Sequence, residues 1–261
     1  MKQTIISILA VFLLIQCTPM KLSVSDDLKS NHDEYSVKGR QGILIKQKLS
    51  FGDYRTTHVK RSWTKGHSSR TGLGSYDQQQ QWVNLISMEY VNKKQTVNFN
   101  LTDGKQTSEV YCVSRFQSED LQIGRRENSI LNIAMDIAGF ASQSSSLYYV
   151  QMFMGESGTP WQLVLDNQAS QAAPKKYMGI IARSHSEYYT LVPVTKLEKN
   201  GKSGNTLFGS VGFEMRDPQG RAVAAVSMID NGMVFLRKTS AEERFILANV
   251  CAALLLQEEI G

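Results

Sequence analysis

Residues 245–256 run Phe-Ile-Leu-Ala-Asn-Val-Cys-Ala-Ala-Leu-Leu-Leu, and this segment constrains the fold more than any other. Ser240-Ala241-Glu242-Glu243, just ahead of it, is a capping box. The Ser side chain caps a free backbone donor while Glu243 reaches back, so a helix starts there. A helix that is apolar on nearly every face must be buried on nearly every face. Twelve residues are too few to cross a bilayer, which takes about 20. The remainder of the chain must therefore wrap around this helix.

That remainder reads as a procession of short strands separated by turn signals. Strand-like runs fall at 42–51, 56–63, 82–91, 96–101, 107–116, 147–154, 161–165, 177–183, 188–197, 207–215, 221–229 and 233–236. In 96–101, Val97, Phe99 and Leu101 alternate with polar neighbours, the period of a half-buried strand. Asp103-Gly104 and Asp217-Pro218-Gln219-Gly220 are turns with the residues that turn geometry asks for. Residues 64–81 and 200–204 read as loops. The segment 129–140 fits both periods; Leu131, Ile133, Met135 and Ile137 favour a strand.

About twelve strands and one all-round apolar helix predict a mainly β fold. The expected form is a closed antiparallel barrel with the C-terminal helix buried inside, because closure removes sheet edges and the helix fills a wide interior. The alternative is a β-sandwich with the helix packed on one face. The residues Gly212-Phe213-Glu214-Met215-Arg216-Asp217, 220–229, Val234-Phe235-Leu236 and the helix 241–259 resemble the ending of tubby-like and LURP-one/scramblase-like barrels. The resemblance implies a twelve-stranded barrel threaded by a hydrophobic helix. Some members of those families bind membrane lipids, but no lipid-binding motif matches here residue by residue.

The other end of the chain carries an address. Lys2 is followed by an apolar run over 5–15, a signal-type core that is too short to span a bilayer. It ends at Leu14-Ile15-Gln16-Cys17, which resembles the lipobox of bacterial lipoproteins, with Gln16 where that family favours a small residue. The resemblance implies cleavage before Cys17 and acylation of Cys17, palmitate included; several chains on one residue anchor stably where one does not. Thr18 follows, with no Asp retention signal, which implies the outer membrane and leaves the periplasmic or surface face open. The expected organisation is a signal peptide over 1–16, a lipidated polar tether over 17–40, and one β-rich domain over 41–261 ending in helix 240–259. Ser25-Asp26-Asp27 either belongs to an acidic tether or resembles the surface-export tags of some Bacteroidetes lipoproteins.

Little in the sequence carries chemistry. There is no HExxH and no nucleophile elbow; Gly155-Glu156-Ser157-Gly158 falls short of one. Cys112 and Cys251 lie in no metal motif and read as buried thiols, with a bridge left open by export. No cofactor is expected. The net charge of +5 is mild. The densest basic stretch, 46–70, suggests Lys60, Arg61, Lys65 and Arg70 as an anion- or lipid-binding face, with Trp63 at the interface. The aromatic pairs Tyr148-Tyr149 and Tyr188-Tyr189 raise sugar stacking, although strand alternation sends one of each pair into the core. The functional expectation is a non-catalytic, membrane-anchored binding module of the envelope, with an anionic lipid or an envelope protein as ligand and no nucleic acid. The alternative is a periplasmic or surface hydrolase with an unrecognised site.

Overall fold

The computed structural model describes residues 20–40, 48–62, 96–116, 130, 133, 137, 147–155, 159–176, 179–199, 201–206 and 209–257. The expected elements over 64–81 and 82–91 lie outside these residues, as do Cys17, Lys65 and Arg70.

Twelve antiparallel strands form one sheet. In chain order they are β2 (His32–Ser36), β3 (Ser50–Phe51), β4 (Tyr54–Ser62), β5 (Thr96–Thr102), β6 (Thr107–Phe116), β7 (Leu147–Met154), β8 (Trp161–Asp166), β9 (Gly179–Ala182), β10 (Tyr188–Val194), β13 (Gly212–Arg216), β14 (Ala222–Ser227) and β15 (Met233–Arg237). Their spatial order is β2-β15-β14-β13-β10-β9-β8-β7-β6-β5-β4-β3. The two ends of this sheet meet where Lys38 and Ser50 exchange backbone bonds of 2.9 and 3.0 Å. Gly39 makes the closure possible. Its φ is +82°, and a Cβ there would lie 1.8 Å from the Lys48 carbonyl oxygen. The sheet is thus a nearly closed barrel.

The C-terminal helix, α3 (Ala241–Leu256), occupies the interior, as the sequence predicts. Every residue from Phe245 to Leu256 is buried. The helix touches β14 and β15 on one wall and β5 and β6 on the opposite one. Inward-facing residues from around the ring share its core, among them Phe99, Tyr148, Leu163, Leu191, Met215 and Leu236. Asn249 is the polar residue among α3's buried positions. It accepts from Ser108 Oγ at 2.5 Å and donates to the Phe245 carbonyl at 2.8 Å, so burial leaves it satisfied.

Two expectations are corrected, and the corrections share a cause. Residues 20–40 are not a free tether. They form β1 (Lys21–Leu22), α1 (Asp26–Lys29) and β2, and β2 pairs with β15 over five residues. Leu22, Val24 and Leu28 are buried against Ala222, Ala225 and Phe235, on the outside of the barrel wall. In the segment read as a strand over 129–140, Ile130, Ile133 and Ile137 are helical. They pack on the outward-facing Val113, Leu147, Tyr149, Val164 and Ile180. Strands β7 and β14 are apolar on both faces, so α3 covers one face and these segments cover the other.

A second, three-stranded sheet stands beside the barrel. It joins β1 to β11 (Lys196–Lys199) and β12 (Lys202–Asn205). The latter strand replaces the loop expected at 200–204. A short helix, α2 (Asn167–Ala172), capped by Asp166 through the Ala169 amide, follows β8.

Candidate binding surfaces of the barrel

The predicted basic face begins on β4, where a bulge changes its composition. Between Thr57 and Lys60 the strand carries one residue more than β5 opposite, with His58 at φ +52°. An extra residue inverts the alternation. Tyr54 and Thr56 point inward before the bulge; Val59 packs on the core after it. Lys60 is therefore exposed, while Arg61 turns inward and its Nη2 donates to the Leu256 carbonyl at 3.0 Å. There it supplies a donor and a positive charge to the C-terminal end of α3. The described half of the predicted face thus presents Lys60 outward and commits Arg61 to the helix.

The same end of α3 is closed by β7. Tyr148 Oη donates to the Ala253 carbonyl at 2.7 Å, and burial holds its hydroxyl well above the ordinary tyrosine range. Tyr149 faces the outer cover, where it donates to Gln162 and accepts from Gln151. Both members of this aromatic pair are buried, because β7 is covered on both faces. Cys112 and Cys251 are free and buried in the same core. Burial pushes the Cys112 thiol up to about 12, so it stays a protonated thiol rather than a reactive thiolate.

The opposite mouth of the barrel, around the first turn of α3, is open and polar. Ser240 accepts from the Glu243 amide, as the capping box predicts, while the Glu243 carboxylate accepts from Thr239 and Tyr189. Arg244 donates to Asp33 Oδ2 and to Tyr35 Oη, both at 2.7 Å. The Arg244 guanidinium holds the Asp33 carboxyl below the usual carboxylate range. Beside this network lies a cleft of about 370 Å³, at the small end of ligand pockets. Its wall is Trp161 against Tyr189, ring centroids 5.6 Å apart, with the Arg183 guanidinium 5.4 Å over the Trp161 ring. Arg183 also pairs with Glu187, whose carboxyl it holds below the usual range. Arg221 pairs with Asp217 at 2.7 Å. Tyr189 Oη donates to Glu243 at 3.2 Å, and burial raises its hydroxyl above the usual range. Glu242 completes four carboxylates against two guanidinium groups.

The cleft gathers residues from four separate parts of the chain. The sequence flags three of its features: Tyr188-Tyr189, the Asp217-Pro218-Gln219-Gly220 turn, and Ser240 with Glu243 through the capping box. Trp161, Arg183 and Arg221 carry no pattern, because strand order rather than spacing brings them together. Chemically the cleft offers ion pairs, hydrogen bonds and an aromatic wall to a polar or cationic ligand. Among the described residues no group of three or more His, Cys, Asp or Glu side chains could hold a metal ion. None of the helices of the described residues is long and apolar enough to cross a membrane. Compared with family models, with curated proteins and with solved structures, the chain finds no match in any of the three.

Proposed function

We propose that this chain is an exported lipoprotein, acylated on Cys17, that serves the cell envelope as a non-catalytic binding module. The observation that carries the binding reading is the filled barrel. Where α3 occupies the lumen, a ligand must be met on the rim or the outer wall. The mouth cleft, with its paired charges and aromatic wall, is a rim surface suited to a protein or small polar ligand. Cleavage before Cys17 and acylation there would hold that surface at a membrane, the outer one by the Thr18 signal. The tubby-like resemblance rests on the barrel threaded by a helix and brings no ligand with it.

A hydrolase would draw an acid or base from the cleft carboxylates. Glu187 is held ionised by Arg183, Asp217 is paired with Arg221, and Glu243 accepts from Tyr189 and Thr239. These partners suit fixed charges in a binding surface better than groups that must exchange protons.

The test is intact mass and membrane fractionation of the wild type and Cys17→Ala in a bacterial host. The wild type is expected to carry acyl mass and to sediment with membranes, and the variant to be released. Equal processing and equal solubility of the two would overturn the anchor.

A further inference from the structure

The geometry points to the end of the β11–β12 hairpin, beside β1, as a docking edge for an anionic bilayer; this rests on the proposed acylation of Cys17. Only three residue steps separate Cys17 from Met20, where the described fold begins. At roughly 3.6 Å per residue they reach about 11 Å. The start of the fold cannot swing away from the barrel. Leu22 is buried, pairs with Leu197 and packs on Phe235. A lipid on Cys17 would therefore hold this sheet about one Debye length from the headgroups.

The sheet is suited to that position. Lys196, Lys199 and Lys202 are exposed on the β11–β12 hairpin; Lys199 and Lys202 pair across its tip on one face, and Lys196 flanks them on the other. Among the described residues none of the three has an ion-pair partner, whereas the neighbouring Lys21 and Lys29 are neutralised by Glu34 and Glu198. Met20 is 52% exposed and stands next to β1. Unpaired ammonium groups near an anionic surface are attracted to it, and a flanking apolar side chain can enter the interface.

The decisive experiment uses the purified wild-type protein in two kinds of vesicle. One is phosphatidylcholine; the other is phosphatidylcholine and phosphatidylglycerol in equal parts. An amine-reactive reagent that does not cross membranes then reports each lysine by peptide mass. Lys196, Lys199 and Lys202 are expected to label more slowly in the anionic vesicles, with Lys105 and Lys60 unchanged. In parallel, at low salt, Cys17→Ala carrying Lys196→Gln, Lys199→Gln and Lys202→Gln should bind anionic vesicles on the order of 100-fold more weakly than Cys17→Ala alone. Acylated protein with lysine labelling independent of lipid charge would overturn the docking edge and leave the anchor standing. Protein without acyl mass would overturn the anchor and the docking proposal with it.

Discussion

The inside and the outside of the barrel wall are both covered with apolar residues, but they are covered by different means. Inside, α3 is a continuous helix whose every residue from Phe245 to Leu256 is buried, and its contacts reach opposite walls. Outside, the N-terminal cover places a few apolar side chains, Leu22, Val24 and Leu28, in an otherwise polar segment. Polar bonds fasten it. The buried Glu214 accepts from the Ser25 amide at 2.9 Å and from the Ser25 hydroxyl, and Asp27 Oδ2 accepts from the Ala222 amide at 2.7 Å. Thus Ser25 and Asp27 hold the cover in place. A core can be written as a pattern of hydrophobicity. A cover can be written as a few hydrophobes and well-aimed hydrogen bonds.

The sharpest way to break this comparison is to remove the same kind of group from each side. Phe245→Ala should cost about 3–5 kcal/mol in urea denaturation, because the surrounding ring of strands cannot collapse on the space. Leu28→Ala should cost less, about 2–3 kcal/mol, since a surface segment relaxes more easily. Hydrogen exchange should then show residues 20–36 opening while α3 stays protected. If Leu28→Ala unfolds the barrel together with its cover, the two sides are one cooperative unit and the distinction fails. Glu214→Gln should cost about 1–2 kcal/mol, because the Ser25 amide and hydroxyl lose a charged acceptor. The loss should shrink but not vanish in a Ser25→Ala background, which removes the hydroxyl donor and keeps the amide, a test read by a double-mutant cycle.

The smallest effect concerns the junction of the two sides, where Arg244 of α3 meets Asp33 of β2. The folded Asp33 carboxyl lies below its ordinary value, chiefly through the hydrogen bond from Arg244. Its contribution is therefore fully present above the ordinary carboxylate range and is lost as the pH falls through the folded value. Asp33 is partly exposed, so the effect should stay within about 1 kcal/mol. Asp33→Asn should lower the urea midpoint at about pH 6 and leave it nearly unchanged at about pH 2. Equal losses at both would place the cause in packing rather than charge.

The inside of the wall was legible in the sequence because it obeys a period. Val97, Phe99 and Leu101 alternate, and the helix is uniformly apolar, so strand number, helix and barrel all followed. The outer covers escaped for the same reason. Leu22, Val24 and Leu28 are too sparse to form a pattern, and 129–140 satisfied two periods at once. The clue lay elsewhere, in strands such as Ala222–Ser227, too apolar for a sheet with one face in water. The mouth cleft was the least legible part, since Trp161, Arg183 and Glu243 converge only after twelve strands are placed in order. At the other end of α3, Arg61 could not be separated from Lys60 without the bulge at His58. One inserted residue moved a charge from the surface to a helix terminus.

The position of α3 also fixes an order of events. The segment that fills the barrel follows every strand of its wall in the chain. Ser108 meets its partner Asn249 across 141 residues of sequence. Strands emerging earlier find one another but have nothing to close around, so contacts of this range make folding slow and late. Filling and closure of the barrel then become a single step.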